Sequence, residues 1–273
     1  MSPDLTPESM FRVHGFAQAG DDVGLRMGLG DWVLDDTGAQ CPGALGVFLD
    51  DAVGHQVFLA RPSRRHGSVT SELSLDFLPG AWSGDELQAV PRSSTVQAGG
   101  AFTRCEAVDA TGQVVAVVSN WGRFIELGHG VDIADEMPTT PGTVPDPALR
   151  TLDLLGGRPQ ADAHGATLEL AGTARLANPM GIVHGGIVVC ASERVAHAAV
   201  SEMSGDTEWR AGSLRVHYLR PTPVQPDVRW RAQVVHHSRS VAVVRVQGGP
   251  DGARTCTEAT VTFRRDEPSQ KTG

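Results

Sequence analysis

Lysine is nearly absent from this chain. Of 23 basic side chains in 273 residues, Lys271 is the one lysine and the rest are arginine. It lies in a polar tail, which argues against Schiff-base chemistry and against a phosphate-loop lysine. Cysteine is sparse too. Cys41, Cys105, Cys190 and Cys256 are far apart and form no C-x-x-C pair. That spacing excludes a zinc ribbon and a redox dithiol, and reduced thiols in a cytoplasmic protein are expected. No apolar run approaches the ~20 residues of a membrane helix. The first residues carry neither a basic region nor an apolar core, so no secretory signal is read. No G-x-S-x-G occurs, which removes the nucleophile elbow of a serine hydrolase. Positive charge is in deficit: the net charge is −9 and the pI about 5.5, unlike a nucleic-acid binder.

What is present is ordinary globular composition, with 40% apolar and 20% charged residues. The length suits two domains of about 130 residues. Proline and glycine crowd positions 127–147 (LGHGVDIADEMPTTPGTVPDP), which reads as a linker. The domains are therefore drawn at 1–128 and 146–266, with the linker at 129–145 and a polar tail at 267–273. Each domain repeats one order of elements. A short helix candidate comes first (Pro7–Val13, Asp146–Leu155), then an alternating strand (Val23–Leu29, Ala166–Leu170). A glycine-containing loop leads to a segment apolar nearly all round, Gly43–Phe58 and Gly185–Val200, as a helix buried in a sheet would be. Alternating strands follow: Ser71–Leu78 and Ser213–Leu219, then Leu87–Val96 and Val228–Val235. Phe102–Val108 and Val114–Phe124 flank a Thr111-Gly112 turn; Val241–Gln247 and Arg254–Phe263 flank an Asp251-Gly252 turn. This is a duplicated α+β domain, each copy one helix against a mostly antiparallel sheet.

The sharpest motif is Asn178-Pro179-Met180-Gly181-Ile182-Val183-His184-Gly185-Gly186, with Glu193 nine residues after the histidine. A strand and Tyr218-Leu219-Arg220-Pro221 follow. The pattern resembles the hot-dog-fold acyl-CoA thioesterases of the PaaI-like group. The resemblance covers Asp146–Arg264 well. It covers the first half more loosely, through Leu49-Asp50-Asp51-Ala52-Val53-Gly54, Val69-Thr70 and Phe77-Leu78. It implies a double hot-dog, two helix-wrapped antiparallel sheets paired pseudo-twofold in one chain, with sites shared between the paired units. It implies an acyl-CoA substrate, with coenzyme A entering as part of the substrate, no further cofactor and no metal.

The chemistry of the motif also stands without the family. Two glycines at a helix start let a ligand approach the backbone. First-turn N–H groups lack intrahelical partners and sit at the positive end of the helix dipole. Such donors polarise a thioester carbonyl and stabilise the oxyanion formed when water attacks. Gly185 and Glu193 are about 12 Å apart along one helix, too far for one side chain to serve both. The acid acting at Gly185 should therefore come from the other copy's helix.

Departures in the first half sharpen this. Aligning Asp50 with Glu193 sets Cys41-Pro42-Gly43 over His184-Gly185-Gly186 and Asp35 over Asn178. Pro42 has no N–H and cannot replace Gly185. The first half keeps an acid, Asp50, and a hydroxyl, Thr70, where relatives carry a Ser or Thr that helps hold the water; the second half has Ala211 there. The expected catalytic set is Asp50 and Thr70 with Asn178, His184 and Gly185, and Glu193 as the acid of a defective partner site. Asp51 is the rival of Asp50, in a register that pairs His55 with His197. Gly186, Arg64 and Arg65 are the candidate contacts to coenzyme A, the arginines because Arg suits phosphate geometry. His236-His237 point to opposite faces of a strand and make a poor metal pair. The five tryptophans are read as packing or acyl-pocket lining. Two other functions share the fold: a hydratase or dehydratase on enoyl or hydroxyacyl thioesters, and a non-catalytic acyl-CoA binder. Pairing of whole chains into a larger homo-oligomer is also expected.

Overall fold

The computed structural model describes residues 5–17, 23–128, 145–170 and 173–265. The linker reading at 129–145, apart from Pro145, and the tail at 267–273 lie outside the described residues. The first half runs α1 (Pro7–Met10), β1 (Val13–Ala17), β2 (Val23–Gly28), a 3-10 turn (Pro42–Leu45), α2 (Gly46–Leu59), β3 (His66–Phe77), β4 (Glu86–Gln97), β5 (Gly100–Val108) and β6 (Val114–Glu126). The second runs α3 (Thr151–Leu155), β7 (Gln160–Asp162), β8 (Gly165–Glu169), α4 (Gly185–Ser204), β9 (Arg210–Tyr218), β10 (Val228–His237), β11 (Val241–Pro250) and β12 (Thr257–Arg264).

Residue chemistry explains the core elements. Strand β12 alternates, sending Thr257, Ala259, Val261 and Phe263 inward, the period-2 pattern of a sheet with one covered face. The hairpin turns end in Gly112 (φ 82°) and Gly252 (φ 68°), a left-handed conformation that suits glycine. Helix α2 buries Val47, Phe48, Leu49, Val53 and Val57, on several faces at once. It can do so because the sheet wraps one side and α4 covers another. The two helices touch backbone to backbone: a β-carbon on Gly186 would lie 2.3 Å from Val47 Cα, and one on Gly46 2.3 Å from Gly186 O.

All strands form one antiparallel sheet in the order β1-β2-β4-β5-β6-β3-β9-β12-β11-β10-β8-β7. The six strands of each half form one hot-dog sheet, and the expected pairing of the two units joins them edge to edge through β3 and β9. Bulges leave Ser71 unpaired in β3 and Gly212 unpaired in β9, marking equivalent positions. Counted from those bulges, Ser74 and Arg215 correspond, and they pair directly at the seam. The pseudo-twofold axis therefore passes between them, and pairing the two edge strands removes two open sheet edges.

Other differences have local causes. The first helix begins at Gly46, not Gly43, because Pro42 opens a 3-10 turn with no side-chain cap. The terminal helix candidates shrink to α1 and α3, and Val13 starts a strand. Strands β1 and β7 were not foreseen; β7 is exposed along its whole length and carries no alternation to read. Trp209 and Trp230 are core residues and Trp121 is exposed. No described helix is long and apolar enough to cross a membrane.

Candidate active site between the halves

A cavity of about 890 Å³ lies where the halves meet, lined from α2, β3, β6, the loop before α4 and the end of β9. Its polar centre joins the N-terminus of α4 to the middle of α2. Thr70 Oγ1 donates to Asp50 Oδ1 at 3.2 Å. Asp50 Oδ2 lies 3.5 Å from His184 Nδ1. A β-carbon on Gly185 would sit 2.5 Å from Asp50 Oδ2, so the acid of the first half stands directly against the helix start of the second. Gly185 is the first residue of α4, where an N–H has no intrahelical acceptor. Among the described residues its N–H has no hydrogen bond.

His184 is the hub. Its Nε2 meets Asp51 Oδ1 at 3.1 Å and Glu8 Oε1 at 3.7 Å. Burial alone would lower its pKa, but the carboxylates of Asp51, Asp50 and Glu8 outweigh it and raise the value to about 9. Burial also raises Asp51 to about 6 and raises Asp50 against the opposing pull of His184, Thr70 and the Gly186 N–H. That N–H lies between His184 Nδ1, 3.0 Å away, and the Asp50 carboxylate. With a neutral ring it bonds Nδ1. With the imidazolium, which the three carboxylates favour, Nδ1–H faces Asp50 and the Gly186 N–H serves Asp50 as well. The single tyrosine, Tyr218, donates from its hydroxyl to Gly185 O at 2.8 Å and pins the first peptide of α4. Glu8, Asp51 and His184 each offer a ligand atom within 4.8 Å of the others, a spacing that would also fit a cation.

The remaining sequence candidates separate clearly. Asn178 lines the cavity, but its Oδ1 is taken by the N–H groups of Met180 (3.0 Å) and Ile182 (3.3 Å). Asp35 makes the same loop in the first half, accepting from the N–H groups of Thr37 and Ala39 at 2.9 Å. The shared task of the two residues is thus to shape the loop. Glu193 does not reach the cavity. It is fully buried, both its oxygens are held by Arg194 at 2.5 Å, and a β-carbon on Gly43 would lie 2.7 Å from its Cβ. The expectation of a catalytic acid, even at a defective site, gives way to an internal ion pair, closed by Asp35 at 3.7 Å from Arg194. Gly186 is corrected as well: it is the helix-crossing glycine, not a ligand contact. Arg64 and Arg65 are exposed and outside the cavity lining; the arginines that line it are Arg123 and Arg220. None of the five tryptophans lines it.

Sequence reasoning missed Glu8, Asn120 and the role of Tyr218. Glu8 arrives by a long-range contact that leaves no local signature. Asn120 did leave one, a polar residue on the inward face of an alternating strand.

Comparison with known proteins bears on the fold and on the second half. Residues 174–264 match the family model described as the acyl-CoA thioesterase N-terminal domain. No curated protein matches the chain. Among solved structures, the acyl-CoA thioesterase II TesB2 of Mycobacterium marinum superposes with a TM-score of 0.58 at 13% identity, covering 98% of this chain and 99% of that one. The 12:0-ACP thioesterase of Umbellularia californica gives 0.61 at 10% identity, with 89% and 94% covered. A hot-dog protein of unknown function from Alicyclobacillus acidocaldarius gives 0.61 at 10%, with 92% and 96% covered. The chain has the double hot-dog fold, and its second unit matches the acyl-CoA thioesterase domain family.

Proposed function

We propose that the chain hydrolyses an acyl-CoA thioester to the free acid and coenzyme A at one composite site, in the manner of the PaaI-like group. The observation that carries this is the juxtaposition of Asp50 with the Gly185 helix start, each supplied by a different half. In this reading the Asp50 carboxylate takes a proton from water as the water oxygen bonds the thioester carbon. Thr70 holds Asp50 and the water in line. The carbonyl oxygen becomes the oxyanion and accepts the Gly185 N–H at the positive end of α4. Collapse breaks the carbon–sulfur bond, and the proton held by Asp50 passes to the departing thiolate. The raised pKa of Asp50 makes it a stronger base than an exposed carboxylate. His184 orients the acid and compensates its charge.

Arg220, which lines the cavity beside Tyr218, is the group we assign to the coenzyme A phosphates in place of Arg64 and Arg65. Four free, buried cysteines fit a cytoplasmic protein. Release of free thiol from short, medium, long and aromatic acyl-CoAs tests the reading. Turnover on at least one series is the expected result. Tight binding without turnover would make the chain a binder, and hydration of crotonyl-CoA would move it to the hydratases.

A further inference from the structure

From the Asp50–Gly185 centre one arm of the cavity runs along α2, past Gly54, Val57 and Phe58 and against Val69 and Ile125. Asp50 to Phe58 spans about 12 Å of helix axis. Gly54 stands in the helix interior, where glycine costs about 1 kcal/mol against alanine. A β-carbon there would meet nothing within 4 Å, so the residue widens the arm. Lining of this kind suits an apolar acyl chain.

Two polar side chains interrupt it. Asn120 lies on the inward face of β6, is 1% exposed, and lines the cavity with neither Oδ1 nor Nδ2 hydrogen-bonded. His55, on α2, lines it too, 9% exposed and with Nε2 unpartnered. Leaving a buried amide unpaired costs roughly 1–3 kcal/mol per group, so a sequence that only needed to pack this wall would place an apolar residue here. The other half does. Leu73 pairs with Asn120, and its counterpart Leu214 pairs with Val261, which is fully buried. Thr103, opposite Asn120, is matched by Val244, opposite Val261. The polar residue belongs to the half whose helix lines the cavity.

We propose that this arm receives an acyl chain bearing a hydroxyl group, and that Asn120, assisted by His55, selects it; the proposal rests on the thioesterase reading of the same site. A side-chain amide presents a donor group, Nδ2, beside an acceptor, Oδ1, and a single alcohol can answer both by accepting from one and donating to the other. The hydroxyl donates to Asn120 Oδ1 and accepts from Nδ2. An oxo group would satisfy Nδ2 and leave Oδ1 unpaired. Thr70 pairs with Gly122, two residues from Asn120 along β6. Such diagonal neighbours on one sheet face are about 7–8 Å apart, so the hydroxyl sits several carbons from the thioester carbon.

The test compares acyl-CoAs of equal length with and without a hydroxyl, moved stepwise from carbon 3 to the chain end. The readout is the ratio of kcat/KM for each hydroxyacyl-CoA to that for its unsubstituted partner, in the wild type and in Asn120→Leu and Asn120→Ala. Two hydrogen bonds at about 0.5–1.5 kcal/mol each predict a ratio near 10 for the best position. That ratio should fall to about 1 in both variants. A wild-type ratio of 1 or less at every position overturns the proposal, as does a ratio that survives in the variants. Calorimetry with non-hydrolysable alkyl and hydroxyalkyl thioethers of coenzyme A separates this from the catalytic reading. A tenfold binding preference lost in both variants, without turnover of any thioester, would sink the hydrolase and leave the hydroxyl site standing.

Discussion

The two pseudo-symmetric helix starts of this chain stand in different surroundings. At one, Gly185 opens α4 against Asp50, and His184 is ringed by carboxylates. At the other, Pro42 opens a 3-10 turn against Glu193, and Cys41 and Arg194 stand where His184 and Asp51 would be. The first opens to an 890 Å³ cavity. The second is closed, its Glu193–Arg194–Asp35 cluster sealed in the core. Arg194 is 5% exposed, and such a pair is stable when both charges are present and costly when one is lost. Duplication inside one chain permits such a difference: a homodimer must change both helix starts together, whereas the halves of one chain can diverge.

The sharpest way to break the comparison is to neutralise each acid. Asp50→Asn should lower kcat/KM by about 10²–10⁴, the usual worth of a positioned base, with little loss of stability. Glu193→Gln should do the reverse. It should leave turnover within a few-fold at temperatures where the protein stays folded, and should lower unfolding free energy by about 3–5 kcal/mol, since Arg194 would be left without its partner. Steady-state rates and denaturant melts of the two variants decide it. A dead Glu193→Gln with a normal melt would reverse the assignment of the sites.

Adding a methyl group to each helix start is the next test. Gly185→Ala keeps the N–H but places a β-carbon 2.5 Å from Asp50 Oδ2, so the base must move. We expect kcat to fall by about 10²-fold, the scale on which a small misplacement acts. Gly43→Ala would crowd Glu193 Cβ at 2.7 Å instead, and should lower the melting temperature with kcat unchanged. Equal kinetic losses would mean that both helix starts act in turnover.

Smaller still is the hydroxyl contrast. Thr70→Val removes one hydrogen bond to Asp50, and a loss near tenfold in kcat is expected. Ala211→Thr restores the residue type at the equivalent bulge position of β9. It should gain nothing, because Pro42 still offers no N–H. A gain in rate from Ala211→Thr would show that the second site is latent rather than lost.

Much of this asymmetry is legible in the chain itself, because it is written in residue types whose chemistry is local. A proline cannot donate, an alanine cannot hold water, and eight residues of helix cannot be bridged by one glutamate. The cross-helix placement of Asp50 at Gly185 follows from such arithmetic. What was hidden depends on distant or edge contacts. Glu193 and Arg194 are adjacent on a helix, where neighbouring side chains do not face each other, so their bidentate pairing inside the core has no periodic signature. Edge strand β7 is short and has no buried face, and β1 is only five residues long, with Val13 in the core. Fusion into one sheet is decided by β3 and β9, whose alternation reads the same whether their edges are paired or open. The two acids after Leu49 were rivals in the sequence, and the structure brings both to His184.

The smallest expected effect is in pH dependence, and it too separates the halves. Native His184 keeps its proton up to about 9, whereas the unfolded chain releases it near 6.5. Between those values the native state binds more protons than the unfolded state, so stability must fall as pH rises. The contribution is fully present below pH 6.5 and lost through about pH 9. Asp51, raised to about 6, works in the same direction at lower pH, because its native carboxyl holds a proton that the unfolded chain has released. The counterpart of His184 in the other half is Cys41, a thiol pushed up to about 12 by burial; the unfolded thiol ionises at about 8.5, so Cys41 adds to the decline only above about pH 8. His184→Gln should therefore flatten the decline in unfolding free energy between pH 6.5 and about 8, while Cys41→Ser should leave the slope in that range unchanged. Chemical denaturation at a series of pH values measures both. A wild type that gains stability across that window would show that the ring is neutral in the folded protein, with the Gly186 N–H on Nδ1 and Asp50 carrying its charge uncompensated.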